Sequence, residues 1–532
     1  MSLQETIARN TVFNALGRFW EALIGLVLTW YILLRVDTHG WGLWSLVGAF
    51  VAYASLFDFG VASGFAKYLA EHAARKNDRA ISGIISSGLC FYLVFGALVV
   101  AAGWPLIDLL MGAVVIPRAA AVSGTPPNVE ELRFLLRGSL LLFAMNNCFA
   151  PFAAVPVGLQ RMGVSNLLSV AASFVKCVAT VAFLETGFAV PGLLYANAAV
   201  LLFTGIAGVA VAFWLAPGLR LGPSYVQRAA FGPLFSFGWR AQVAKCSNLI
   251  NFQTDRLVVI WVYGDLGLVG LYRLGEELAG KMRQLPALLV TALLPAASDL
   301  DAREQHAALR KLYLVSTKYM ASVAVPFALY FVTNGDILMH AWLGGRPGLD
   351  TAAWVLRILA LGYLANLLPG PGVSIVLGKG RADLPMYAGI ISTVANIALT
   401  IALVFTIGFI GIPIGTTLGM CLSTLWFFRV MHRTVDVTLN ELMRVCVAWP
   451  LAASAPGCAV GLLATWLMAG QQGHLPNLLA ALISAGIFGL SYLVLIGRTP
   501  FLDAFDLAFL EKTLHAGRLP GFSLLTRRVR HD

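Results

Sequence analysis

Charged residues are scarce in this chain of 532 residues. Asp, Glu, Lys and Arg together make up 12% of it, against about 25% in soluble domains. This scarcity excludes an ordinary soluble protein. Hydrophobic residues make up 59%, and they form successive runs that are long enough for a helix to cross the roughly 30 Å hydrocarbon core of a membrane. The sequence therefore predicts an all-α, polytopic membrane protein.

Sequence motifs for catalysis, metal binding and nucleotide binding are also missing. There is no HExxH, GxSxG or CxxC, and the seven cysteines are scattered through apolar segments, where a free cysteine packs as a small apolar residue. The segment Gly372–Gly380 lacks the spacing of a Walker A loop, and no Ser or Thr follows Lys379. We therefore expect no cofactor, no resident metal and no ATP hydrolysis by this chain.

The hydrophobic runs predict about fourteen membrane-spanning helices. Their approximate limits are 11–34, 41–62, 81–103, 134–158, 164–186, 190–215, 234–262, 267–296, 313–335, 352–377, 385–407, 409–431, 443–468 and 476–497. Lys and Arg outside these spans lie mostly on the side of the amino terminus, which the positive-inside rule assigns to the cytoplasm. Both termini are thus predicted to be cytoplasmic. The net charge of +11 reflects this topology and requires no nucleic acid.

An internal repeat relates the two halves of the chain. The segment Ala150–Arg161 resembles Gly370–Arg381, and Gly17-Arg18 in the first span matches Gly238-Trp239-Arg240 in the seventh. Each copy holds six spans, so both enter the membrane from the same side, as in a parallel repeat. The predicted domains are an N-lobe at 1–219, a C-lobe at 220–440, two appended spans at 441–497 and a basic cytoplasmic tail at 498–532.

Three predicted spans carry a polar face, although an ionisable group at bilayer depth costs roughly 2.5–3.5 kcal/mol. The charged residues at helical spacing on these faces are Arg18 and Glu21 on the first span, Lys245, Asp255 and Arg256 on the seventh, and Arg273, Glu277 and Lys281 on the eighth. These are the spans at which the two repeats would meet. The pattern therefore predicts a shared, water-filled cavity.

Arg240, the repeat partner of Arg18, is counted with the cations of this predicted cavity, and Glu276 is counted with its carboxylates. The cations then outnumber the carboxylates. Such an excess favours an anionic substrate, and the forked donors of guanidinium groups suit phosphate oxygens. Internal neutralisation is the alternative, since Glu277 is spaced four residues from both Arg273 and Lys281.

Other cations within the predicted spans are of two kinds. Lys176 lies in the middle of the fifth span, where its side chain cannot easily reach the headgroups, and it is a further cavity candidate. Arg137, Lys318 and Arg357 lie within a turn or two of a span end, and we expect their charged heads to reach the headgroup region.

Several short motifs recur in a characteristic order along nearly the whole chain. They are Gly17-Arg18, His39–Trp44 and Phe57–Gly64 in the first half, and Asp255-Arg256, Gly264, Val269–Tyr272 and Leu294–Ser298 in the second. Together they resemble the multidrug/oligosaccharidyl-lipid/polysaccharide exporter (MOP) superfamily, and specifically its bacterial polysaccharide flippases. His39 stands where the family's first turn has a tyrosine. The resemblance implies two six-helix lobes around a central cavity that opens alternately to the two membrane faces.

The resemblance also implies a function. Such flippases carry an undecaprenyl-pyrophosphate-linked oligosaccharide from the cytoplasmic to the periplasmic leaflet of the inner membrane, as partners of polysaccharide polymerase and export machinery. The residues expected to engage the pyrophosphate or acidic sugars are Arg18, Arg240, Lys245, Arg256, Arg273, Lys281 and Lys176. Those expected to couple transport to an ion gradient are Glu21, Glu277 and Asp255.

Three alternatives stay open at this point. A multidrug antiporter of the same superfamily would favour an acidic cavity for cationic drugs. A membrane glycosyltransferase or polysaccharide polymerase would need a larger extramembrane segment than the one between Trp104 and Arg133. A lipid II flippase would differ only in its substrate.

Overall fold

The computed structural model describes residues 20, 22–58, 61–75, 77–112, 129–226, 228–284, 293–471, 473–503 and 506. Within these ranges, the side chains of 57, 58, 61–63, 67, 74, 110 and 228–245 lie outside the description. All regular structure in the described ranges is helical, and they contain no β-strand. The predicted all-α class is confirmed.

The chain divides into two compact units, Met1–Arg273 and Leu274–Asp532. The helices of the first unit are α1 (Ala22–Arg35), α2 (Thr38–Ala54), α3 (Val61–Ala74), α4 (Asp78–Leu110), α5 (Val129–Gly158), α6 (Met162–Glu185), α7 (Ala189–Leu215), α8 (Arg228–Tyr263) and the first half of α9 (Leu266–Lys281). Its core contains Phe65, Ile85, Tyr92, Phe152 and Val155, which join α3, α4 and α5.

Two glycines allow α2 and the start of α9 to cross in direct backbone contact. A Cβ atom on Gly42 would lie 1.8 Å from the carbonyl oxygen of Leu266. From the other helix, a Cβ on Gly270 would lie 2.2 Å from the carbonyl oxygen of Thr38. Membrane helices approach closely where small residues face each other, because van der Waals packing largely drives their association. No side chain can be accommodated at either position without a backbone shift.

The second unit holds the end of α9 and eight further helices. These are α10 (Leu293–Ala302), α11 (His306–Leu343), α12 (Leu349–Leu367), α13 (Gly370–Gly378), α14 (Asp383–Ile407), α15 (Gly411–Val435), α16 (Leu439–Leu467) and α17 (His474–Arg498). The 38-residue α11 packs against α12, α16 and α17. It kinks at Asn334, whose φ and ψ of −113° and 16° are not helical.

A buried polar cluster joins α14 to α15. The Oδ1 atom of Asn396 accepts hydrogen bonds from the hydroxyl groups of Thr400, at 3.0 Å, and Thr416, at 3.2 Å. All three residues are at most 2% exposed. The helices can approach closely here because Gly415 and Gly419 face the backbone of α14. One amide therefore satisfies two hydroxyl groups in an otherwise apolar hairpin.

Replacing Asn396 by alanine should lower the free energy of unfolding by about 1–3 kcal/mol, because two buried hydroxyl groups lose their shared acceptor. Thermal unfolding of the detergent-solubilised protein would measure the change. Thr406→Val is the matched control on the same helix, since Thr406 is exposed and bonds only to the backbone of its own preceding turn. Equal stability of N396A and T406V would show that the cluster contributes nothing.

Nine helical stretches of the described ranges are long and apolar enough to cross a membrane, which confirms a polytopic membrane protein. They are Asp78–Leu109, Val129–Gly158, Met162–Glu185, Ala189–Leu215, His306–Leu343, Leu349–Gly378, Asp383–Val435, Leu439–Leu467 and His474–Arg498. They correspond to ten of the predicted spans, because Asp383–Val435 contains the hairpin of α14 and α15.

Four predicted spans, 11–34, 41–62, 234–262 and 267–296, have no counterpart among these nine stretches. They fall on α1, α2, α8 and α9, of which α1, α2 and α9 are shorter than 18 residues as described. By contrast, α8 is a continuous helix of 36 residues, but polar residues interrupt its apolar sequence. The total of fourteen spans and the two repeat lobes therefore stay predictions.

Candidate functional site

The predicted site residues are distributed over both units. Arg18 and Glu21 lie outside the described residues. Arg240 and Lys245 belong to α8, and their side chains lie outside the description. The structure therefore bears on the surroundings of Lys176, Asp255, Arg256, Arg273, Glu277 and Lys281.

Arg256 is buried between α8 and α2. Its side chain is only 4% exposed. The Nη1 atom donates to the carbonyl oxygen of Ser45 at 3.3 Å, and Nη2 donates to the carbonyl oxygen of Phe252, one turn earlier in α8, at 3.4 Å. These bonds orient the guanidinium group and balance part of the cost of removing it from water. Arg256 thus has a fixed position in the first unit.

Asp255, the neighbour of Arg256, is buried on α8 and is 5% exposed. It accepts a hydrogen bond from the hydroxyl group of Tyr272 on α9. Arg273, the residue after Tyr272, is half-buried at the end of the first unit. Asp255 and Arg256 are thus both inside the protein, and Tyr272 is a partner of Asp255 that the sequence pattern did not single out.

The part of α9 in the second unit also carries buried charge. Glu276 is 7% exposed. The Nζ atom of Lys281 lies 3.9 Å from Oε1 of Glu277, one turn before it, with side chains that are 21% and 10% exposed. That separation is longer than a hydrogen bond, so the contact between these two groups is electrostatic. Glu277 and Lys281 therefore form the i,i+4 ion pair in which each group partly neutralises the charge of the other.

Arg283 extends this group towards α12. Its guanidinium carbon lies 5.3 Å from the ring centroid of Tyr363, within the range of a cation–π interaction. Arg283 is not among the predicted site residues. An aromatic partner 80 positions further along the chain is a tertiary contact that helical spacing cannot reveal.

A pocket of about 440 Å³ lies in the first unit near the turn between α1 and α2. Its polar lining is formed by Arg35, Asp37, His39 and Glu131. Beside it, the Nη2 atom of Arg35 donates to Oε1 of Glu185 at 2.6 Å. None of the predicted site residues that the structure describes lines this pocket.

The expectation that three other cations reach the headgroups is wrong for Lys318, which is 7% exposed and forms an ion pair with Asp506. The other two cations are also paired with carboxylates. Arg137 donates to Asp108 at 2.7 Å, and Arg357 donates to Asp336 at 2.5 Å. The partners lie 21 to 188 positions away along the chain, which is why the sequence suggested solvation instead.

Two family models match the chain. The family described as "Polysaccharide biosynthesis protein" matches residues 7–301, and that described as "Lipid II flippase MurJ" matches residues 286–483. The chain is 22% identical over 432 residues to the putative O-antigen transporter of Shigella flexneri, covering 80% of this chain and 98% of that protein. It is 21% identical over 438 residues to the probable flippase AglR of Haloferax volcanii, covering 81% and 84%.

Solved structures show the same fold at low sequence identity. The lipid II flippase MurJ in an inward closed conformation superposes with a TM-score of 0.61 at 14% identity, covering 90% of this chain and 98% of that one. An inward-facing multidrug resistance MATE family transporter of the MOP superfamily gives 0.59 at 16% identity, covering 80% and 94%. At identities this low, the structural likeness shows a shared fold and does not identify the substrate.

Proposed function

We propose that this chain carries an undecaprenyl-pyrophosphate-linked oligosaccharide from the cytoplasmic to the periplasmic leaflet. The chain belongs to the polysaccharide biosynthesis protein family, and the proposal follows from that membership. The resemblance to polysaccharide flippases of the MOP superfamily is confirmed by the family matches and the structural likeness. The chain is accordingly a membrane transporter. The single observation that carries the proposed substrate is that the family match at 7–301 contains the arginines of the predicted cavity: Arg18, Arg240, Arg256 and Arg273.

The proposal includes the finer architecture. Fourteen spans would form an N-lobe at 1–219, a C-lobe at 220–440 and an appended pair at 441–497, followed by the tail at 498–532. Both termini would face the cytoplasm at the bacterial inner membrane. Polysaccharide polymerase and export machinery would receive the glycan on the periplasmic side. The excess of Lys and Arg in loops on one side supports this orientation.

The physical barrier to flipping is the cost of bringing a pyrophosphate into a layer of low dielectric constant. Guanidinium groups lower that barrier because each presents a rigid fork of donors to phosphate oxygens. The buried and oriented guanidinium of Arg256 is an example of such a preorganised group. No covalent chemistry is required, since alternating access exposes the same charges to either side.

Carboxylates beside these cations supply a means of coupling to an ion gradient. Glu277 lies 3.9 Å from Lys281, and an anionic substrate would compete with it for the same ammonium group. Protonation of Glu277 would release Lys281 to the substrate, and deprotonation would favour substrate release. Asp255 and Glu21 are the corresponding candidates on the other polar faces. A net cationic cavity of this kind disfavours the cationic drugs of a multidrug antiporter.

Deleting the gene and complementing it with R18A or R240A would test the proposal. We expect lipid-linked glycan to accumulate on the cytoplasmic face and surface polysaccharide to fall about tenfold or more, because a charge-assisted hydrogen bond contributes about 1.5–3 kcal/mol. The lysine variants R18K and R240K should restore part of the export.

Arg303→Ala is the matched control, because Arg303 is exposed and, among the described residues, its ion pair is with Asp299 one turn earlier. It should export normally. Normal surface polysaccharide in the deletion strain, with increased sensitivity to cationic drugs, would overturn the proposed substrate. It would favour the multidrug antiporter.

A further inference from the structure

Helix α11 of the second unit bends at Asn334, although its sequence does not impose a permanent bend there. The backbone angles of Asn334 are not helical. The proline inside this helix, Pro326, lies eight positions earlier, and a proline disrupts the turn that precedes it. Every residue from Val332 to Ile337 has a backbone N–H group, so a straight helix could form all its hydrogen bonds here. The covalent structure therefore allows both a bent and a straight form.

Two neighbouring helices donate hydrogen bonds to the turn before the bend. The Nε atom of Arg357 on α12 donates to the carbonyl oxygen of Val332 at 3.1 Å. The Oγ1 atom of Thr465 on α16 donates to the carbonyl oxygen of Thr333 at 2.8 Å. A straight helix pairs such carbonyls with its own amides four positions later, and it kinks where side chains enter this ladder. The bent form is therefore held by donors from α12 and α16.

The side chain of Asn334 also contributes to the bend. Its Nδ2 atom donates to the carbonyl oxygen of Tyr330, one turn earlier, at 3.1 Å, and to Oγ1 of Thr333 at 3.0 Å. Asn334 is fully buried, and its Oδ1 atom has no hydrogen-bond partner among the described residues. Because an unpaired buried acceptor is costly, favourable and unfavourable contacts offset each other in the bent form. Such a balance is what an element with two forms of similar free energy requires.

Two glycines provide space for these contacts. A Cβ atom on Gly335 would lie 3.0 Å from Nε of Arg357, and one on Gly461 of α16 would lie 2.5 Å from Nδ2 of Asn334. Beyond the bend, residues 335–343 form an arm about 14 Å long, at a rise of 1.5 Å per residue. A change in bend of about 20°, the lower limit for a sharp kink, would move the end of this arm by about 5 Å.

We propose that Asn334 is a reversible hinge of α11, which Arg357 and Thr465 hold bent and which straightens as the transporter changes conformation. The inference rests on the proposed function, because alternating access requires elements with two discrete arrangements. Straightening would return the carbonyl oxygens before the bend to the amides of their own helix. The guanidinium of Arg357 would keep its ion pair with Asp336 on the arm, because that bond uses Nη2 while Nε holds the bend.

Spin-label distances in full-length protein in lipid nanodiscs would test the hinge without any transport. Labels introduced as unnatural amino acids at Gly345, beyond the arm, and Gln471, beyond α16, leave the native cysteines in place. Both positions are exposed. In the unmodified protein the distance of the bent form should predominate.

Two variants should favour the straight form. Asn334→Ala removes the bond to Tyr330 and introduces a better helix former, and Thr465→Val removes the bond to Thr333. Each should shift the ratio of the two forms about fivefold, as expected for the loss of one hydrogen bond, and populate a distance that differs by about 5 Å. Thr406→Val is the control, since this exposed hydroxyl group bonds to its own preceding turn.

Ile337→Pro should favour the bent form. Proline at this position removes the amide that a straight helix would pair with the carbonyl oxygen of Thr333, and Thr465 already satisfies that oxygen. The variant should therefore fold and show the distance of the bent form alone. Its export of surface polysaccharide should fall severalfold or more, because α11 can no longer straighten.

Two results would overturn the hinge. One is a single distance shared by the unmodified protein, N334A and T465V. The other is normal export by I337P, because the bend would then not change during transport. If I337P is not recovered as folded protein, normal export by the double variant N334A/T465V overturns the hinge in its place. Absence of export by the unmodified protein would instead contradict the proposed function, and the distances would still decide whether α11 has two forms.

Discussion

Replacing Gly42 by alanine is expected to lower the free energy of unfolding by about 3 kcal/mol, at the upper end of the range for overpacking. The new methyl group would lie 1.8 Å from the carbonyl oxygen of Leu266. Because that atom belongs to the backbone, α2 and α9 must separate to relieve the clash, and Gly270 would lose its own close contact with Thr38. Thermal unfolding and the yield of monodisperse protein in detergent would both report the change.

Gly48 provides the matched control for this experiment. It lies on the same helix, and a Cβ atom added there would meet nothing within 4 Å. Since alanine is favoured over glycine in a helix by up to about 1 kcal/mol, G48A should be neutral or slightly stabilising. If G42A proves no less stable than G48A, the close crossing of α2 and α9 is not a determinant of the fold.

The apolar spans could be predicted from the sequence because a single physical requirement, the thickness of the hydrocarbon core, acts on each helix separately. The predicted span 190–215 and the helix Ala189–Leu215 differ by one residue at one end. The predicted spans 385–407 and 409–431 likewise correspond to α14 and α15. Residues Gly408–Ile410 form a short 3₁₀ turn between the two helices. Local composition determined these features, so no tertiary information was needed.

Helix crossings and long-range partners could not be predicted in this way. Gly42 is one glycine among 52 in the chain, and nothing in its neighbourhood distinguishes it from Gly48. The bond from Arg256 to the carbonyl oxygen of Ser45 spans 211 positions. Helical spacing identified which side chains share a face, and therefore the charges of α8 and α9, but it carries no information on which element lies opposite.

The partner of Lys318 is a further long-range contact that the sequence could not reveal. Its position near a span end suggested solvation, yet it forms a buried ion pair with Asp506, which follows the last helix. Asp506 is 1% exposed and also accepts a hydrogen bond from the hydroxyl group of Tyr319 at 2.6 Å. Phe501 covers the ammonium group, with 5.0 Å between Nζ and the ring centroid. The segment after α17 is therefore attached to α11 by a buried charge.

Replacing Asp506 by alanine should lower the free energy of unfolding by about 3–5 kcal/mol, because Lys318 would be left buried without its partner. Burial raises the pKa of Asp506, but the hydrogen bonds from Lys318 and Tyr319 outweigh it and hold the pKa below the usual value of 3.8. A carboxylate of this kind stabilises the folded protein above its unfolded-state pKa, and the contribution is lost as the pH falls through the lower folded-state value. Chemical denaturation of the full-length protein in detergent at neutral and acidic pH would measure both effects.

Asp503 is the comparison that isolates the buried pair. Its carboxylate is 60% exposed and lies 3.7 Å from Nζ of Lys318, so D503N should cost less than about 1 kcal/mol. A second comparison replaces both partners, since K318M with D506L removes the unpaired charge and should recover most of the stability lost in D506A. The two results separate a charge effect from a packing effect. If D506A and D503N are equally stable, or if the double variant is less stable than D506A, the ion pair does not hold the segment after α17 in place.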